Sequence, residues 1–160
     1  MMGDSQLSGW RVFISALIGL TLTIVPLPDA LEIIRPDFLL LIIVYWGLTA
    51  PRLAGLAFSW LCGFGIDILH GVVLGQHAAG FLVVAASVQY FQLRLRIFPI
   101  WQQAFAVFMM LIVYQFVVFW IDGIVGSPVF DLRRWLPALT GALLWPILVA
   151  TLDTWNRRRR

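Results

Sequence analysis

The chain alternates long charge-free stretches with short polar interruptions. Residues 12–28, 38–51, 53–66, 68–93, 97–121 and 135–152 carry no Asp, Glu, Lys or Arg. Runs approaching about 18 apolar residues read as membrane spans, because about 20 helical residues cross the hydrocarbon layer. Proline and arginine mark the boundaries. Pro26 and Pro28 end the first stretch, and Pro36-Asp37 opens the second, since proline suits a helix start and holds the residue before it out of the helix. Pro51-Arg52 makes a turn between the second and third, and Arg94, Arg96 and Pro99 separate the fourth from the fifth. The pattern predicts six helices over 11–28, 37–51, 53–70, 76–93, 99–121 and 135–153, with the loop 122–134 as the longest polar interruption.

The expected fold is therefore all-α, a single polytopic transmembrane bundle over residues 1–160. Hydrophobic residues make up 61% of the chain and charged ones 12%, about half the charged share of a soluble domain. The first stretch lacks a small-x-small cleavage site before Asp29 and reads as an uncleaved span. An even number of spans puts both termini on one side. Placing them in the cytoplasm gathers Arg11, Arg52, Arg94, Arg96 and Arg157 to Arg160 there, against Arg35, Arg133 and Arg134 outside. The positive-inside bias favours that orientation. The second and third stretches are short for a full crossing. The second extends back to Leu31, or it forms a tilted, partly buried hairpin with the third.

One segment carries a packing pattern. Every fourth residue from 55 to 75 gives Gly55, Ser59, Gly63, Asp67, Gly71 and Gly75. A ridge of small residues lets a second helix backbone approach closely. Its partner is either a helix of another protein or, the preferred reading, a helix of this same bundle. Asp67 lies on the ridge, and an acid at membrane depth is expensive and often functional. It has no chain of acidic partners for a proton relay, and a cap on the following helix is favoured. His70, His77 and Asp67 lack a convincing fourth ligand for a metal site.

The remaining chemistry is sparse. Cys62, the one cysteine, excludes an internal disulfide and reads as a packing residue. Asp131, Arg133 and Arg134 form a candidate docking patch on the loop 122–134, or pair locally and snorkel at the interface. Gln115 sits in the middle of the fifth span, and Pro146 is expected to kink the sixth. The terminal arginines anchor topology and face anionic lipid, with no folded module for reading nucleic acid. No nucleophile–base pair, carboxylate dyad or phosphate loop is visible, so no enzyme, cofactor or metal is expected.

Two segments carry a resemblance. Arg35-Pro36-Asp37-Phe38-Leu39-Leu40-Leu41 opens the second span, and Gly55…Gly63-Phe64-Gly65-Ile66-Asp67-Ile68-Leu69-His70-Gly71…Leu74-Gly75 follows. They are similar to the corresponding motifs of the MreD family of rod shape-determining membrane proteins, across roughly residues 35–85. The resemblance implies a non-enzymatic component of the bacterial inner membrane that serves cell elongation. It implies binding to MreC, a bitopic membrane protein, and indirect links to MreB, a RodA-type glycosyltransferase and its penicillin-binding transpeptidase partner. It also implies a fold similar to the S-components of energy-coupling-factor transporters. That likeness supplies the competing expectation of a vitamin- or metal-binding transporter subunit, with Asp67, His70, His77 and Gln115 as its candidate ligand groups.

Overall fold

A computed structural model describes residues 3–126 and 131–157. Among these residues six main helices follow one another: α1 (Gly3–Ile24), α3 (Phe38–Thr49), α4 (Leu56–His70), α5 (Gln76–Leu95), α6 (Ile100–Val125) and α7 (Leu136–Arg157). Between the first two lies a single turn, α2 (Asp29–Glu32), and a 3-10 turn (Leu132–Trp135) leads into α7. There is no strand among the described residues. The expected helices are all present with shifted ends. The first stops at Ile24, before Pro26, and the last runs on to Arg157, staying helical through Pro146.

By length and composition, Gln76–Leu95, Ile100–Val125 and Leu132–Asn156 can cross a membrane, while Gly9–Ile24, Phe38–Thr49 and Leu56–His70 are shorter apolar helices. The twelve residues of α3 rise about 18 Å at about 1.5 Å each, well short of the hydrocarbon thickness of ~30 Å. Packing explains how a helix this short is accommodated. Every residue from Leu39 to Leu48 is buried, with Leu40 and Leu41 at 0% exposure. A helix apolar all round belongs inside other helices, and α3 is enclosed by α1, α5 and α7. The expected hairpin of the second and third stretches is not the main contact: α4 packs chiefly on α5. The chain turns away after α3 through Ala50–Gly55, and its next helix joins the outer layer.

Polar pegs fix the central helix against its neighbours. The Trp46 indole N–H donates to Ser15 Oγ on α1 at 2.7 Å. The Tyr45 hydroxyl donates to Asp153 Oδ1 on α7 at 2.6 Å. Arg96, just beyond α5, donates from Nε to the Leu48 carbonyl at 2.5 Å and from Nη2 to that of Thr49 at 3.4 Å. It thereby serves carbonyls that the last turn of a helix leaves without intrahelical donors. Arg11 Nη1 donates to Asn156 Oδ1 at 2.6 Å, tying the start of α1 to the end of α7. Both ends of the described chain therefore lie at one end of the bundle.

Candidate functional site

The end of the bundle opposite the termini holds most of the buried polar chemistry. Its centre is Asp67, in the last turn of α4 and 0% exposed. Gly71 ends that helix in the left-handed region at φ 63°. Gly75, at φ 103°, precedes α5. These two glycines turn the chain so that the start of α5 returns over the Asp67 carboxylate. Asp67 Oδ2 accepts the Gly75 N–H at 2.8 Å and the Ala78 N–H at 3.3 Å. Its Oδ1 accepts the His77 backbone N–H at 2.8 Å and stands 2.8 Å from His77 Nδ1. Three backbone donors at the beginning of α5, where intrahelical acceptors are missing, are satisfied by a carboxylate from another helix. The carboxyl group also faces the positive end of the α5 dipole.

The small-residue ridge is only partly continuous in space. Ser59 and Gly63 are buried on α4. A Cβ on Gly63 would stand 2.6 Å from Ala78 Cα and 2.9 Å from the His77 carbonyl, so the α4 and α5 backbones touch at this point. Gly55 is the N-cap of α4, and its carbonyl accepts the Ser59 hydroxyl at 3.1 Å. Gly71 and Gly75 leave the helix, and a Cβ on either would meet nothing within 4 Å. The period-four series predicts one ridge to residue 75. The left-handed conformation at Gly71 ends it at Asp67, and the last two glycines serve the turn.

Two more polar connections join this end. Gln76 Nε2 donates to Asp122 Oδ1 of α6 at 2.6 Å, and the Arg134 guanidinium bonds the other oxygen of Asp122. Arg134 also lies over the Phe119 ring, 5.8 Å from its centroid. Asp131 Oδ1 accepts the Arg133 N–H at 2.9 Å, fixing the 3-10 turn. Beside this turn is a recess of about 390 Å³ lined by Glu32, Ile33, Gln115, Asp131, Arg133 and Arg134. Gln115 Nε2 lies 3.5 Å from Asp37 Oδ2 at the start of α3.

The three loop residues singled out in the sequence thus share one turn with different roles. Arg134 is tied down, Asp131 caps, and Arg133 is exposed beside Leu132, which is 75% exposed. Residues 127–130 of the same loop lie outside the described residues. The sequence reading missed the link from Gln76 through Asp122 to Arg134. A polar amide at the first position of an apolar helix was the available signal, but nothing in sequence spacing ties residue 76 to residue 122.

Asp67, His70 and His77 do come together, with the two imidazole rings 5.6 Å apart. No group of three His, Cys, Asp or Glu among the described residues has an arrangement that holds a metal ion. The Asp67 oxygens accept backbone donors, so one of the four groups named for the transporter expectation already serves the turn into α5.

The model of the family described as rod shape-determining protein MreD matches residues 5–154. A rod shape-determining protein MreD from Haemophilus influenzae is 28% identical over 133 residues, covering 81% of this chain and 80% of that protein. No solved structure matches. The match extends well beyond the two motifs that first carried the resemblance, and on it the chain belongs to the MreD family of rod shape-determining proteins.

Proposed function

We propose that this protein is a non-enzymatic, multi-pass component of the bacterial inner membrane that binds MreC and helps control lateral peptidoglycan synthesis during cell elongation. The observation that carries the reading is the family match across residues 5–154. In the proposed orientation the termini face the cytoplasm. That choice rests on the arginines at 11, 52, 94, 96 and 157–160, which are favoured on the cytoplasmic side.

The turn from Asp131 to Arg134 then faces the periplasm and is the proposed contact for MreC. Its backbone is fixed by the Asp131 cap and by the Arg134 bridge to Asp122. The exposed Leu132 and Arg133 offer an apolar tip beside a charge. A pre-organised turn loses little conformational freedom when a partner binds.

The test is affinity purification of the full-length chain from native membranes in mild detergent, with co-purifying proteins identified by mass spectrometry. Recovery of MreC is expected, and recovery should fall at least about tenfold for Leu132→Asp combined with Arg133→Glu, a hot-spot-sized loss. Absence of MreC from the unaltered protein's eluate overturns the proposed function. Unchanged recovery by the double variant removes this turn as the contact.

A further inference from the structure

The outer surface between α5 and α6 contains a groove of about 440 Å³. Its floor is buried: Val84 is 1% exposed, Leu95 6% and Met110 9%. Its rims are exposed: Phe91 at 42%, Phe105 at 63% and Met109 at 42%. Ser87 and Arg94 are its polar lining residues, and the Ser87 hydroxyl already donates to the Val83 carbonyl at 2.8 Å.

Arg94 lies toward one end of the groove, in the last turn of α5. This is the end of the bundle that also carries the termini, since Arg96 beside it reaches the carbonyl end of α3. The exposed Arg94 side chain makes no ion pair or hydrogen bond among the described residues. Arg11, Arg35, Arg96 and Arg134, by contrast, all donate to protein oxygens.

The groove's length identifies the occupant. From Arg94 back to Val84 along one helix is about 15 Å at about 1.5 Å per residue, half of the ~30 Å hydrocarbon thickness. With Arg94 at headgroup level, the concavity ends near the midplane. A partner membrane helix would need a seat along the full span of about 30 Å. A chain from one leaflet fits an apolar groove that stops halfway. The free cation at its mouth calls for a negative headgroup.

We propose that this groove seats one acyl chain of an anionic glycerophospholipid from the leaflet on the side of the termini, with its phosphate at Arg94. A neutral bilayer lipid fills the same channel with less retention, because its headgroup brings no net charge to Arg94.

The experiment is native mass spectrometry of the full-length chain in detergent, titrated separately with phosphatidylglycerol and with phosphatidylethanolamine carrying the same acyl chains. The expected result is about fivefold tighter retention of phosphatidylglycerol, the size of one basic residue's attraction for anionic lipid. Arg94→Gln is expected to bring the two lipids to equal retention. Met109→Trp, which narrows the channel from its exposed rim, is expected to weaken retention of both. Equal retention of the two lipids by the unaltered protein overturns the proposal. So does undiminished phosphatidylglycerol preference in Arg94→Gln, whether or not the tryptophan variant folds.

Discussion

The carboxylate of Asp67 on α4 and the first turn of α5 at His77 are joined twice: Asp67 Oδ1 lies 2.8 Å from the His77 backbone nitrogen and 2.8 Å from its Nδ1. This joint holds the tightest helix pair of the bundle, because the Gly63 backbone meets Ala78 one residue further along α5. A buried polar group is costly unless it is hydrogen-bonded. Here the donors are backbone N–H groups that would otherwise be orphans, so the acid and the helix end satisfy one another.

Asp67→Ala should therefore destabilise the fold by about 1–2 kcal/mol or more, the range for loss of a capping side chain. Asp67→Asn keeps one acceptor oxygen and should fall between the two. The half-buried thiol of Cys62 provides the readout, as the temperature at which a thiol-reactive dye labels the detergent-solubilised protein. An unchanged midpoint for Asp67→Ala would remove the capping role.

Gly63 and Gly65 stand two residues apart on α4 and should respond oppositely to alanine. At Gly63 the new Cβ meets backbone at 2.6 Å, while at Gly65 it meets nothing within 4 Å. Gly63→Ala is expected to cost about 1–3 kcal/mol through overpacking. Gly65→Ala is expected to gain roughly 0.5–1 kcal/mol in helix preference. The same thermal labelling distinguishes them, and a similar loss at both positions would contradict the close approach of α4 and α5.

Gly71→Leu and Gly75→Leu strain the backbone, since both positions sit at positive φ, 63° and 103°. Loss of MreC recovery by either variant would report the turn and not an interface. Both are expected to lower the labelling midpoint, by roughly 1–2 kcal/mol of stability at the left-handed φ of Gly71.

The central helix offers a separate test. Ser15→Ala leaves the buried Trp46 indole N–H without its 2.7 Å acceptor and should cost about 1 kcal/mol, the scale of hydrogen bonds between membrane helices. Arg96→Met frees the Leu48 and Thr49 carbonyls and should cost about the same. Ser15 and Arg96 approach from different sides, but both bonds end on the last turn of α3, at Trp46 and at Leu48 and Thr49, so the double variant should depart from additivity. Additive losses in the measured midpoints would mean that the two sites act independently.

Much of this architecture is legible in the amino-acid sequence. Charge-free length and proline placement determine six apolar helices, because backbone groups in hydrocarbon must be satisfied within each segment. The acid at position 67 next to a glycine-rich turn is enough to expect a cap. Tertiary structure decides what periodicity cannot carry. Residues 38–49 are apolar on every side, so they present no stripe that would say which neighbours surround them, and only packing makes α3 the centre. The period-four series of small residues continues unbroken in sequence to Gly75, yet φ at Gly71 ends the helix. Asp122 finds both Gln76 and Arg134 only when α5, α6 and the turn before α7 converge. Such long-range pairs leave no local trace, because each partner alone looks like an ordinary polar residue at a helix end.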